Sequence, residues 1–348
     1  MVKEARHHHY IPQGYLRGFA QRRGERQWYV HVTDLEQRRS YQTNTRNVCG
    51  ERDFMRINIA GHAPDRVEKE LAAFEKKSIE AIRRVAAGRK FEGEDANLTM
   101  NLMALLAVRS PEMRESMREF HERIAKRVMD LSLATKQRWE EQMQQLRVAG
   151  KMVNDDLTYE DIKAFHTGGQ YKVTVKREFQ MGTEFQLMPT VLEELGKRLW
   201  TVYTTDGKQG EFVTTDRPVT LTYIDPSKVP ASMARSPGFA LNGTEVHFPL
   251  TRHAMLVGRW DRGGQWDRGG HVEEAHDTFI GAVNAHMARN AYGQVFSREK
   301  KIVYIDPLLN LRWDELLQQR YTTEPSPEEL AEFQARCEKY ERRDLSST

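Results

Sequence analysis

An α+β fold is expected from three features of this 348-residue chain. From about residue 65 to about residue 200, apolar residues recur every three or four positions, the period of helices packed on one face. From about 200 to 305 they alternate in short runs separated by Gly- and Asp-rich turns, the pattern of an antiparallel or mixed β-sheet. Ahead of both stands Arg6-His7-His8-His9-Tyr10-Ile11-Pro12-Gln13-Gly14-Tyr15-Leu16-Arg17-Gly18-Phe19, with three imidazoles, two phenols, an amide and two guanidiniums in fourteen residues. Few folds require that mixture for packing alone. The expected architecture is a helical middle packed on a C-terminal sheet, with the His-rich segment inserted at their interface. In this reading residues 1–320 form a single domain and 321–348 a peripheral tail.

The elements follow in order. Trp28, Val30 and Val32 alternate within Gln27–Thr33, a strand that presents them to a core. Val67, Leu71, Phe74, Ile79, Ile82 and Val85 mark one face of a helix from Asp65, its N-cap, to Gly88, its stop. Glu75 borders that stripe, where a carboxylate can lean toward a site or pair with Lys on the surface. A second helix, Asp95–Val108, is apolar over a wide arc and therefore central. It ends at Arg109-Ser110-Pro111, because Pro111 disfavours helix at the preceding residue. A guanidinium placed there needs an anionic partner, an internal carboxylate or a bound phosphate. Glu112–Val148 reads as a long amphipathic helix or helical hairpin with a charged outer face, followed by a link at Gly150–Asp156 and a short helix from Thr158. Tyr171–Val175 alternates as a strand, and Glu184–Leu199 returns to helix with Pro189 near its start or at a kink. Strands are then expected at 200–204, 211–214, 219–223, 245–248 and 254–257, a helix at 278–289, and final strands at 295–296 and 302–305. Trp260-Asp261-Arg262-Gly263-Gly264 recurs at once from Trp266, a tandem suited to a flexible loop and too short for a solenoid.

Bulk properties bound the class. Hydrophobic content of 39%, charged content of 30% and a mean hydropathy of −0.72 describe a polar globular chain. No window approaches the roughly eighteen apolar residues of a membrane span, and no secretory leader pattern is present, so a cytoplasmic protein is expected. Cys49 and Cys337 form no metal-ligand spacing, and two cysteines argue against a disulfide scaffold. A net charge of +3 is mild, so any nucleic-acid surface must be a local patch. P-loop, dinucleotide-turn, nucleophile-elbow and zincin signatures are all missing from the sequence.

Three chemistries fit the remaining residues. In the first, His8, His9, Asp53 and Asp216 hold a divalent metal, Mg or Mn, that activates water against a phosphodiester. His8, His9, Glu51 and Asp216 are then the catalytic candidates. Gln13, Tyr15, Arg17, Arg109 and Asn284 are the substrate-binding ones, with Arg17 and Arg109 on phosphate. The second chemistry needs no metal: a histidine serves as acid–base or nucleophile, oriented by a carboxylate. The third is non-catalytic, a binding or regulatory module whose His, Tyr, Arg and carboxylate groups form a buried structural network.

His8-His9-Tyr10-Ile11-Pro12-Gln13 with Tyr15-Leu16-Arg17-Gly18-Phe19-Ala20 resembles the opening of a bacterial family known as domain-of-unknown-function family 4238. Glu51-Arg52-Asp53-Phe54, Arg109-Ser110-Pro111, Thr214-Thr215-Asp216-Arg217-Pro218-Val219 and Phe248-Pro249-Leu250-Thr251 fit the same pattern in the same order. The resemblance supplies candidate positions and no reaction. The resulting expectation is a phosphodiester hydrolase, a nuclease or nucleotide hydrolase, with nucleic acid or a nucleotide as partner and no membrane. Analogy with bacterial families of this kind adds the expectation of a toxin or phage-defence effector.

Overall fold

The computed structural model describes residues 6–151, 156–225, 237–260 and 270–316. The tandem at 261–269 and the expected tail at 321–348 lie outside the described residues. In chain order, β1 (His7–His9) leads into a single helical turn, α1 (Gln13–Leu16), then β2 (Gln21–Arg23), β3 (Gln27–Asp34), β4 (Arg39–Asn44) and β5 (Gly50–Arg52). Six helices follow: α2 (Arg66–Ala86), α3 (Gly93–Val108), α4 (Pro111–Ser132), α5 (Lys136–Val148), α6 (Tyr159–Gly168) and α7 (Arg177–Gly196). The remainder is β6 (Arg198–Thr204), β7 (Thr214–Thr215), β8 (Thr220–Tyr223), β9 (Thr244–Thr251), β10 (Ala254–Trp260), β11 (His271–Glu274), α8 (Asp277–Asn290), β12 (Gln294–Ser297), β13 (Ile302–Ile305) and β14 (Leu311–Asp314). Helices in the middle and sheets toward the C-terminus make this an α+β protein.

The chain forms two compact units, Met1–Ser110 with Glu184–Thr348 and Pro111–Thr183. The larger unit is built on a mixed five-stranded sheet in the order β11-β6-β10-β9-β8, in which β11 runs parallel to β6 and the other pairings are antiparallel. Strand alternation divides its side chains between two cores. Val202, Val246, Phe248, Leu250 and Leu256 join Ile79, Ile82 and Val85 of α2 and Leu102 and Leu105 of α3. Tyr203, Met255 and Val257 join Ile280, Val283 and Met287 of α8. A second sheet carries β2 and β12 along β3, with β7 beyond β12 and β4 also paired to β3. It adds Val30, Val32 and Phe296 to the first core.

The N-terminal segment wedges between α2 and β9. Ile11, Tyr15, Leu16 and Phe19 are all buried in the first core, each worth roughly 1.5–3 kcal/mol of apolar burial. Tyr15 stacks on Phe248 with ring centroids 5.4 Å apart. Gly14 is needed for the approach to α2, since a Cβ there would sit 2.7 Å from Ile79 Cδ1. Gly88, at φ +98°, ends α2 in a conformation that other residues rarely adopt. β1 pairs with β5 as an isolated two-stranded ribbon, His8 opposite Glu51.

The smaller unit holds the charged helices. The long helical stretch is interrupted, with Thr135 capping α5 through its hydroxyl. One expected strand is absent, and of the one expected at 211–214 only Thr214 pairs, as the start of β7. Tyr171 stacks on Phe165 at 5.0 Å and its hydroxyl meets His166 Nδ1 at 2.6 Å, and residues 171–175 pair with no strand among the described residues. Residues 211–213 are extended without a ladder, because Phe212 donates to Arg252 O and Val213 donates to the side chain of Asn284. No helix among the described residues is long and apolar enough to cross a membrane.

Candidate functional site

β1 presents its three histidines to opposite sides, as a strand must. His8 is buried, with 1% of its surface exposed, while His7 is exposed and His9 half-buried. The rings of His7 and His9 meet edge to face at 5.0 Å. This alternation splits the expected site into an inner and an outer cluster.

On the inner side, the Met55 amide donates to His8 Nδ1 at 2.8 Å. An accepting Nδ1 places the ring hydrogen on Nε2. Arg109, at the C-cap of α3, is 1% exposed. Its Nη2 donates to Glu75 Oε1 at 2.7 Å, while Nε and Nη1 are buried with no hydrogen-bond partner. Glu68 lies two helical turns before Glu75 on the same side of α2 and within electrostatic reach of His8, Glu75 and Arg109. Burial raises the Glu68 carboxyl above the ordinary carboxylate range, Glu75 adds to the rise, and His8 and Arg109 oppose it. The side chain of Glu75 is 17% exposed and Glu68 is half-buried, so the cluster reaches solvent along α2.

On the outer side, His9 Nε2 lies 3.1 Å from Arg46 O and 3.3 Å from Gln13 Nε2. Burial lowers its proton affinity below that of a free imidazole, and the Arg46 carbonyl partly offsets this. Gln13, Arg17 and Arg46 also line a polar groove of about 450 Å³, together with Arg26, Trp28 and Tyr29. Arg17 Nε is buried there without a partner.

Other candidates serve the fold. Tyr15 Oη donates to Pro249 O at 2.7 Å and sits 3.0 Å from Thr214 Oγ1, at 2% exposure. Asn284 is fully buried; its Oδ1 accepts from Val213 N, and its Nδ2 donates to Glu211 O and Val303 O. Both side chains are buried and committed to the protein's own groups. Asp216 accepts from the amides of Tyr292, Gly293 and Gln294 at 2.7, 2.7 and 2.8 Å, closing the turn before β12. Burial pushes its carboxyl up to about 6 against those three donors. Glu51 is exposed, and Asp53 occupies a turn at φ +59° beside Arg52.

The expected catalytic set, His8, His9, Glu51 and Asp216, therefore does not converge on one cleft. Nor does the expected metal set of His8, His9, Asp53 and Asp216. Adjacent histidines on a strand diverge, and the Asp216 oxygens are taken by backbone amides. Among the described residues, no group of three or more His, Cys, Asp or Glu is placed to hold a metal ion. The structure brings both His8 and Arg109 within electrostatic reach of Glu68, and it gathers Gln13 and Arg17 on the outer groove. Glu68 was missed, although its seven-residue spacing from Glu75 on an amphipathic helix was a readable signal. Arg46 gave no signal, because only the pairing of β4 with β3 brings it near Gln13.

No curated protein and no solved structure matches this chain. A family model described as a protein of unknown function, DUF4238, matches residues 7–301. That span contains every residue of both clusters, and the chain belongs to this family.

Proposed function

We propose that the chain hydrolyses a phosphodiester at the inner cluster. The observation that carries this reading is Arg109, a buried guanidinium with two unmet donors paired to Glu75, with Glu68 in electrostatic reach of both and of His8. Such donors match phosphoryl oxygens, and preorganised donors stabilise the charge that develops there. Glu68, with its raised proton affinity, is suited to take a proton from the attacking water. The new P–O bond forms from that water, and the bond to the leaving oxygen breaks. The leaving oxygen keeps the electron pair and receives a proton from solvent or from Glu68. Glu75 holds Arg109 in place. This chemistry uses the chain's own groups, Arg109 and Glu68. The divalent ion remains an arm of the test.

The experiment is to incubate purified protein with labelled RNA, single- and double-stranded DNA and nucleotides, with and without Mg²⁺ or Mn²⁺, alongside Glu68→Gln. The expected loss in the variant is about 10²–10⁴-fold in rate, with an unchanged circular dichroism spectrum. Full activity in Glu68→Gln would refute the assignment. Absence of turnover in the wild type would favour the non-catalytic module, a reading supported by Tyr15, Asp216 and Asn284, whose hydrogen bonds all serve the fold.

A further inference from the structure

The outer groove carries three guanidiniums, from Arg17, Arg26 and Arg46, and no carboxylate among its lining residues. In a chain with fifty acidic residues against fifty-three basic ones, that segregation is a local feature of the kind nucleic-acid recognition requires. Arg17 contributes a buried Nε with no partner, a donor turned away from bulk water. Tyr29 supplies aromatic surface, while its β3 neighbour Trp28 packs against the first core, and Arg23 lies over the Tyr29 ring at 5.1 Å, a further guanidinium beside the groove. Gln13 also lines the groove, with its Nε2 3.3 Å from His9 Nε2.

We infer that this groove binds a nucleotide through its phosphate and its unpaired base, either as a free nucleotide or as part of a single strand. Guanidiniums pair with phosphate oxygens, aromatic rings stack on exposed bases, and side-chain amides read base edges. A volume of about 450 Å³ suits one nucleotide with part of a neighbour. A duplex keeps its bases stacked inside and would leave the ring and the amide unused. This site lies on the opposite face of β1 from His8, so it stands apart from the hydrolytic reading and does not depend on it.

The test is fluorescence anisotropy of the full chain with a labelled oligonucleotide of about ten nucleotides, a length within the range of single-strand sites. The probe is offered as single-stranded RNA, single-stranded DNA and duplex, across a salt series. Single strands should bind more tightly than the duplex. Arg26 and Arg46 are exposed, so Arg26→Glu with Arg46→Glu leaves the fold in place and should weaken binding at least tenfold. The slope of log affinity against log salt should fall by about 1.4 for two lost phosphate contacts. Arg17→Gln should weaken binding without changing the spectrum of the folded chain. A mononucleotide that displaces the probe assigns the site to free nucleotides, and failure to displace assigns it to strands. No binding at low salt, equal affinity for duplex, or unchanged binding by the charge-reversed variant would overturn the inference. Binding is read without turnover, so this result and that of the Glu68→Gln assay fail separately.

Discussion

Replacing Glu75 by alanine strands the Arg109 guanidinium. Arg109 is 1% exposed, and the bond of 2.7 Å to Glu75 Oε1 is its ion pair. With Nε and Nη1 already unpartnered, the variant keeps a buried cation without compensation, at a cost of about 3–5 kcal/mol. The converse change is milder. Arg109→Met removes the charge and fills much of the space, and it leaves Glu75, whose side chain is 17% exposed, able to turn to water. Its cost should be about 1–3 kcal/mol. The double variant, Glu75→Ala with Arg109→Met, contains no stranded charge and should be more stable than Glu75→Ala alone. Urea unfolding followed by circular dichroism reads the order directly. At a slope of about 3 kcal/mol per molar urea, a loss of 3 kcal/mol moves the midpoint by roughly 1 M. Inorganic phosphate should raise the midpoint of Glu75→Ala more than that of the wild type, because an anion bound only in the folded state adds to stability. A double variant weaker than Glu75→Ala would refute the reasoning, since Arg109 would then be compensated by something other than Glu75.

Two further outcomes are expected. The folded value of Asp216, about 6, lies above its unfolded value of 3.8, so the native state holds this proton between those limits. Its contribution is full below the unfolded value and is lost as pH rises through about 6, by about 3 kcal/mol over two units. The stability difference between wild type and Asp216→Asn, measured by urea midpoints from pH 4 to 7, should follow that fall, and a flat difference would contradict it. Asn284→Ala leaves Val213 N, Glu211 O and Val303 O without their side-chain partner. At about 1–3 kcal/mol for each buried group, the loss should be 3 kcal/mol or more; a loss under 1 kcal/mol would show that other donors and acceptors replace it.

Periodicity made most helices legible. α2 and α3 run close to where their apolar stripes and the Pro111 boundary placed them, and β3 was readable from Val30 and Val32. β1, β4 and β5 were hidden, because their stability comes from partners distant in sequence and their side chains are polar. The same cause limited the site. A motif rich in chemistry announced that His8 and His9 matter, and it did not announce that they face different ways. Only the short β1–β5 ribbon decides that, with His8 inward against Met55 and His9 outward toward Arg46. Asp216 looked catalytic in isolation because its use, three amides in the turn at 292–294, is invisible without the fold.

Tyr15 sets an order of events during synthesis. Its hydroxyl bonds residues 199 and 234 positions further along, Thr214 and Pro249. The helical turn that carries it can therefore be translated early and anchored only late, after most of the chain has left the ribosome. At about 5–20 residues per second, that is a delay of roughly ten to fifty seconds. During it Ile11, Leu16 and Phe19 lack the part of their core that β9 supplies, Phe248 and Leu250, and long-range closures of this kind are slow in their own right. The histidine-rich segment is thus the stretch of this protein most in need of shelter while it is made, and mutations that weaken its late partners should lower yield before they lower the stability of what folds.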